Sequence, residues 1–125
     1  MKIKSVSANW LHVPIPYEQQ HVSDFGRIAS FDSVLVTIET ECGLVGYGEA
    51  KEEVGSEGNS HALVAAIERK FGPSLIGEDP RDIVRLTEQM YSGTRGHYAI
   101  DHGHVFPILG RRGVTISALS GIDMA

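Results

Sequence analysis

Hydrophobic and polar residues alternate along the first half of the chain, and this alternation predicts β-strands. It is most regular over residues 33–41, from which a short turn at Gly43 leads into a returning strand over residues 44–50. Residues 2–13 form a further strand, which the prolines that follow it bring to an end. Together the three segments predict an antiparallel three-stranded meander.

The first strand and the returning strand each carry an irregular feature. Because side chains alternate along a strand, one face of the first strand carries Lys4, Val6, Ala8 and Trp10. The apolar phase then slips near Trp10, so we expect a bulge or a twist there. In the returning strand Gly46 and Gly48 share a face, and this bare strip of backbone would let another element approach closely.

The second half of the chain carries the spacing of amphipathic helices. The apolar stripes of three successive helices are Leu63, Val64, Ile67 and Phe71; Ile83, Leu86 and Met90; and Ile116, Leu119 and Ile122. The first helix is expected to begin at Asn59 or Ser60 and to end at Gly72-Pro73. The second is expected to begin at Asp79-Pro80 and to end near Ser92-Gly93. The third is expected to begin at Thr115. Because strands precede helices, the predicted fold class is α+β with segregated elements.

The third helix reaches Ala125 without a glycine, a proline or a basic last turn to end it. Complete helices rarely end without a cap. We therefore expect this sequence to stop in the middle of a helix.

Two polar stretches, residues 17–30 and residues 51–60, follow neither period. Connections of this length in a compact domain are often lids or binding loops. Functional residues are frequent in such loops, so these two stretches are the first places to look for a site.

Composition narrows the class of protein. The chain has 125 residues and a formal net charge of −5, which suits one domain and argues against a nucleic-acid binder. A single cysteine, Cys42, excludes an internal disulfide. The longest apolar run, residues 62–67, is too short to span a membrane, and no apolar segment follows the N-terminal lysines as in a signal peptide. We therefore expect a cytoplasmic protein.

Three segments of the chain, in order, resemble one known family. They are Val34-Leu-Val-Thr-Ile-Glu-Thr-Glu-Cys-Gly-Leu-Val-Gly-Tyr-Gly-Glu-Ala50, Leu75-Ile-Gly-Glu-Asp-Pro80 and Ser117-Ala-Leu-Ser-Gly-Ile-Asp-Met-Ala125. The first resembles the N-terminal signature of the enolase superfamily, in its mandelate racemase/muconate lactonizing enzyme branch. The second resembles the turn between two helices of that family, and the third resembles the start of its Ser-Ala-Ile-Asp-x-Ala-Leu-Trp-Asp helix. Leu119 and Ser120-Gly121 depart slightly from the usual residues of that helix.

The resemblance implies the capping domain of that family, a three-stranded antiparallel sheet followed by a small helical bundle. Residues 1–112 would form this N-terminal domain, and residues 113–125 would begin the helix that leads into a (β/α)₇β barrel absent from the sequence. In the family, acidic residues of the barrel hold one Mg²⁺, and a barrel base removes the proton α to a carboxylate. The chain would then carry no catalytic and no metal-binding residue and would be inactive alone, as one part of a lyase or an isomerase.

The resemblance also implies a role for the two polar stretches. Two loops of the capping domain close over the barrel mouth in such enzymes, and by order along the chain they match residues 17–30 and 51–60. We expect their candidate substrate-binding residues to be His21, Asp24, Arg27 and Lys51. Donors of this kind suit a small carboxylate, and a polyhydroxy acid in particular, because arginine offers a bidentate fork.

These residues favour an acid-sugar dehydratase or a 2-hydroxyacid racemase, and a muconate-type cycloisomerase is the alternative within the family. Members of the family are commonly oligomeric, so we expect the complete protein to be a homo-oligomer. A function of another class would be a self-standing interaction or metal-binding module without the barrel. Its candidate ligands are His97, Asp101, His102 and His104. Their spacing matches no established metal motif, and a solvated loop that faces the barrel or another subunit is the favoured interpretation.

Overall fold

Strands occupy the first half of the molecule and helices the second, which confirms the predicted α+β class. The computed structural model describes residues 1–24, 26–51, 60–101 and 113–125, with the backbone alone over residues 93–101. The strands in these ranges are β1 (Ile3–Pro14), β2 (Val22–Ser23), β3 (Gly26–Arg27), β4 (Ser30–Thr40) and β5 (Val45–Ala50). The helices are α1 (His61–Ala65), a π-helical turn (Ala66–Phe71), α2 (Gly72–Leu75), α3 (Ile83–Asp101) and α4 (Val114–Met124).

The three long strands form an antiparallel sheet in the order β1–β4–β5, which confirms the meander. The central strand β4 pairs Val34 with Trp10 of β1 on one side and with Ala50 of β5 on the other. Every second residue of β4 from Asp32 to Thr40 is buried. One face of the sheet therefore packs against the helices, and the other face is more exposed.

The bulge of β1 lies at its start, and the register runs without a shift past Trp10, where we expected a bulge or a twist. The register with β4 shifts between Ile3 and Ser5, so Lys4 is the extra residue. Lys4 consequently leaves the face of Val6 and turns to solvent, where its Nζ donates a hydrogen bond of 2.8 Å to Oε1 of Glu39. Ile3 can then be buried at the end of the sheet.

The sequence predicted that the first helix stops at Gly72-Pro73, but helical structure continues through these residues. The N–H of Gly72 donates to the carbonyl of Ile67 in the π-helical turn, and α2 then continues to Leu75. Pro73 thus lies in the first turn of a new helical segment, where the N–H that proline lacks has no intrahelical partner in any case. Ser60 precedes α1 without a side-chain capping bond, and the predicted stripe of Leu63, Ile67 and Phe71 is buried.

The boundaries of the second helix also differ from the prediction. Oδ1 of Asp79 accepts the backbone N–H of Arg81 at 3.0 Å, and this local bond makes a turn, so that α3 begins only at Ile83. Leu86 and Met90 are buried as expected, but Ile83 is 55% exposed. At its other end α3 continues past Ser92-Gly93 to Asp101, since one glycine inside a helix costs only about 1 kcal/mol.

The last helix, α4, begins at Val114 after Gly113, so Thr115 is not its cap. Leu119 and Ile122 are buried as predicted, together with Ala118 and Gly121, whereas Ile116 is exposed and the prediction was wrong for it. In the part of the chain that the structure describes, no helix combines the length and the apolar character that a membrane span requires.

The glycine strip of β5 is where α4 approaches the sheet, as the sequence predicted. A Cβ on Gly46 would overlap the carbonyl oxygen of Ala125, and a Cβ on Gly48 would overlap that of Gly121. A Cβ on Gly121 in turn would lie 2.8 Å from Cβ of Ala50. Three glycines on two elements therefore set the distance between the helix and the strand.

The hydrophobic core fills the space between the inner face of the sheet and the helices. Its fully buried or nearly fully buried members are Ile3, Ala8, Val34, Val36, Ile38, Ala50, Leu63, Ile67, Phe71, Leu75, Leu86, Met90, Ala118, Leu119 and Ile122. Both halves of the chain contribute, so the sheet and the helices depend on each other for the burial of their apolar faces.

Replacing Gly48 by alanine should destabilise the fold by about 3 kcal/mol or more, because the added methyl group meets helix backbone that cannot turn aside. Gly43→Ala is the matched control, since its site has open space and a φ of +85°, so only a backbone cost of about 1–2 kcal/mol is expected. The free energy of unfolding from urea titrations measures both. Equal losses for the two variants would contradict the close contact of α4 with β5.

Candidate functional site

The sheet register brings the two polar stretches of the sequence to one end of the molecule. Pro14 at the end of β1 lies opposite Ser30 at the start of β4, so the segment between them leaves from that end. Ala50 at the end of β5 lies opposite Val34, four residues further along β4. Lys51 therefore begins the second stretch at the same end of the sheet.

The first stretch contains regular structure that its composition did not predict. Residues Tyr17–Gln19 form a 3₁₀ turn, and β2 and β3 form a small hairpin in which Val22 lies opposite Arg27. Gly26, with a φ of +108°, adopts a conformation that glycine favours in such tight turns. Short elements of this kind leave no periodic pattern of hydrophobic residues, which is why the sequence did not reveal them.

The predicted substrate-binding residues lie exposed at this end of the sheet. His21, Asp24 and Arg27 all belong to residues 15–29, the hairpin segment between β1 and β4, and Lys51 follows β5 directly. The guanidinium of Arg27 lies 4.5 Å from the centroid of the Tyr17 ring, a cation–π contact that orients it. Arginine in such a contact keeps its N–H groups for an anion in the plane of the guanidinium.

Lys51 also borders an open groove of about 450 Å³ between β5 and α4. The other residues that line it are Glu49, Ile116, Ser117, Ser120 and Met124. Glu49 serves as a structural acceptor, because the hydroxyl of Ser33 donates to its Oε1 at 2.7 Å. The groove thus offers Lys51 and serine hydroxyls next to apolar side chains.

The structure adds a carboxylate that sequence reasoning missed. Asp32 is buried on the inner face of β4 and accepts hydrogen bonds from Nε1 of Trp10 at 2.7 Å, from Nδ1 of His12 at 2.7 Å and from Oγ of Ser30 at 2.5 Å. The alternation along β4 could have indicated that Asp32 is buried, because it places Asp32 on the same face as Val34 and Val36. A charged residue at a core position needs partners, and here it has three.

The electrostatics of this cluster favour the ionised carboxylate. Burial of Asp32 opposes its charge, but the hydrogen bonds from Ser30, His12 and Trp10 outweigh burial, and the pKa of Asp32 is lowered from its ordinary value. His12 is half exposed, and the edge of its ring contacts the Trp10 ring. His61, the first residue of α1, contacts the same indole with a centroid distance of 4.9 Å.

The side chains of the histidine-rich segment lie outside the described residues. Of its residues, His97 and Asp101 are described by their backbone in α3 alone, and His102 and His104 lie outside the described residues. Among the side chains that are described, no three of His, Cys, Asp and Glu are grouped so as to hold a metal ion.

The chain is similar to proteins of one enzyme family. A model of the mandelate racemase / muconate lactonizing enzyme, N-terminal domain, matches residues 5–125. Arabinonate dehydratase of Saccharolobus solfataricus is 36% identical over 92 residues, which cover 74% of this chain and 20% of that protein. D-galactarolactone cycloisomerase of Agrobacterium fabrum is 33% identical over 127 residues, which cover 100% of this chain and 28% of that protein.

A solved structure shows the same fold. The crystal structure of a racemase from Streptomyces coelicolor A3(2) with bound magnesium has a TM-score of 0.70 and 26% sequence identity, and the match covers 97% of this chain and 29% of that one. The chain therefore spans about a quarter of the length of the proteins it matches, from 20% to 29% in these three.

A double-mutant cycle tests the contact of Arg27 with Tyr17. Tyr17→Ala and Arg27→Ala should each destabilise the protein slightly, and the double variant should lose about 0.5–1 kcal/mol less than the sum, since the two single changes remove the same cation–π contact. Tyr17→Phe keeps the aromatic face and should keep most of the coupling. The free energy of unfolding of each variant is the measurement, and strictly additive losses would contradict the contact.

The lowered pKa of Asp32 gives a pH dependence of known sign. Because the unfolded chain binds this proton at higher pH than the folded one, Asp32 stabilises the fold above about pH 4, and that contribution is lost as the pH falls through its lowered pKa. Asp32→Asn should therefore flatten the dependence of the unfolding free energy on pH below about pH 4. Asp123→Asn, a change at an exposed carboxylate bonded to Thr87, is the control. An unaltered slope in Asp32→Asn would contradict the assignment.

Proposed function

Because this chain belongs to the mandelate racemase/muconate lactonizing enzyme family of the enolase superfamily and matches its N-terminal domain, we propose that it is the capping domain of an enzyme that removes the proton α to a carboxylate. The observation that carries the proposal is the family match, which extends over residues 5–125. The catalytic base belongs to the barrel that completes the enzyme, and this domain contributes the cover of the site.

Within the family we favour an acid-sugar dehydratase or a 2-hydroxyacid racemase. The similarity to arabinonate dehydratase supports the first. In a dehydratase a base takes the α-proton, an acid protonates the β-hydroxyl, and water leaves as the double bond forms. A cycloisomerase is the second candidate. The similarity to D-galactarolactone cycloisomerase, which covers the whole chain, supports it.

The part of the reaction assigned to this chain is substrate binding and exclusion of water. The hairpin segment with His21, Asp24 and Arg27 and the segment that starts at Lys51 leave one end of the sheet, as a cover over a neighbouring site requires. Arg27 would hold a carboxylate by two parallel hydrogen bonds, and Lys51 would meet a second anionic or hydroxyl group. His21 and Asp24 would select the hydroxyl pattern of the distal part of the substrate.

Magnesium is the metal that the family implies, and the matching racemase holds it. The described side chains of this chain include no group of ligands that fits it, and we assign the metal to the barrel. The domain division is part of the same proposal: residues 1–112 form the capping domain, and residues 113–125 lead into the barrel while α4 completes the core below the sheet. We further propose that the complete protein is a homo-oligomer.

Substitution of the proposed binding residues in the complete enzyme tests the role of the domain. A screen of acid sugars and 2-hydroxyacids with Mg²⁺ first identifies the substrate. Arg27→Ala should then lower kcat/KM by about tenfold or more, mostly through KM, because a charged hydrogen-bonding pair is lost. Lys51→Ala should act in the same direction. Arg69→Ala, at an exposed arginine of the π-helical turn, is the matched control and should leave the kinetics unchanged.

Two results would overturn the proposal. Turnover of no acid in the screen by the complete wild-type enzyme would remove the proposed reaction. Wild-type kinetics for Arg27→Ala and Lys51→Ala, on a substrate that the enzyme does convert, would remove the role of these residues while leaving the reaction in place.

A further inference from the structure

The Asp32 cluster joins the two ends of the first polar segment and, through Trp10, contacts the residue that follows the second segment. His12 lies two residues before the end of β1, and Ser30 begins β4, so the carboxylate of Asp32 holds the two ends of the hairpin segment together. The indole of Trp10 donates to the same carboxylate and packs against His61. His61 is the first residue of α1, directly after the second segment.

The carboxylate of Asp32 is buried and held in place by hydrogen bonds from two strands. The Asp32 side chain is only 4% exposed, and its oxygens are occupied by three donors from β1 and β4. Hydrogen bonds to a buried charge are stronger than neutral ones, and the loss of one of the three donors leaves the buried carboxylate less well compensated. A disturbance at Asp32 would therefore be transmitted to the chain on either side of the hairpin segment.

We propose that Asp32 is a positioning residue that holds the hairpin segment of residues 15–29 in the arrangement that binds substrate. The inference rests on the proposed function, since it assigns to this segment a contact with the acid. Asp32 itself touches no substrate. It acts through Ser30 and His12, which fix the two ends of the segment that carries Arg27.

Other groups around the cluster do not replace Asp32 in this role. Glu68, on the π-helical turn, accepts the backbone N–H of Ala8 at 3.0 Å and so serves the exposed edge of β1. Glu49 is bonded to Ser33 on the other face of the sheet. Among the described residues, Asp32 is thus the carboxylate that joins β1 to the start of β4 on the inner face.

The test compares two variants of the complete enzyme with a control. Asp32→Asn removes the charge, and Trp10→Phe removes one donor while it keeps an aromatic ring against His61. The rate of tryptic cleavage after Arg27 under native conditions reports the freedom of the hairpin segment without any substrate. We expect Asp32→Asn to raise that rate about tenfold and to raise KM more than it lowers kcat, with smaller changes in the same direction for Trp10→Phe.

Asp123→Asn is the matched control, because Asp123 accepts a hydrogen bond of 2.7 Å from Thr87 between α3 and α4. It should change neither the cleavage after Arg27 nor KM. If Asp32→Asn does not fold, Trp10→Phe decides the question alone. Unchanged cleavage after Arg27 in the folded variants would overturn the proposal, and so would faster cleavage with an unaltered KM. Should the wild-type enzyme convert no acid, the proposed function fails, and the cleavage rates still decide whether Asp32 holds the segment.

Discussion

The close approach of α4 to β5 is the contact on which the rest of the fold depends. Gly46 and Gly48 remove the side chains that would hold the helix away, and Gly121 allows the helix to come within contact of Ala50 and Val36. The close approach buries Ala118, Leu119 and Ile122 against the inner face of the sheet. A larger separation would open voids along a core that is otherwise filled from both halves of the chain.

This packing leaves one end of the sheet free to carry function. The helices cover the inner face, and the register of β1, β4 and β5 brings the hairpin segment and Lys51 to the same end. A rigid layer that presents loops at one end is a common arrangement for binding sites, because the scaffold fixes the loops while their sequence remains variable. The buried carboxylate of Asp32 lies between scaffold and loop, where it ties the ends of the loop to the sheet.

The fold could be predicted from the sequence wherever one simple pattern determined the structure. The alternation through Val34, Val36 and Ile38 identified the central strand, and the glycines at 46 and 48 indicated where another element, which is α4, would approach. Helix boundaries were less predictable, because local hydrogen bonds compete with them. Asp79 looks like a helix cap, yet its side chain bonds Arg81 to make a turn, and Gly93 does not interrupt a helix that continues through it.

The sequence offered candidate site residues but not their arrangement. The polar composition of residues 17–30 made His21, Asp24 and Arg27 candidates, and their role stays a prediction. The pairing of Val22 with Arg27 and the contact of Arg27 with Tyr17 could not be predicted, because no periodic pattern reveals them. The most direct test of their role is a crystal structure of the complete enzyme with its acid substrate or an unreactive analogue. We predict that the guanidinium of Arg27 and the ammonium of Lys51 lie within hydrogen-bond distance of the ligand. A closed site in which neither side chain contacts the ligand would contradict their role in substrate binding.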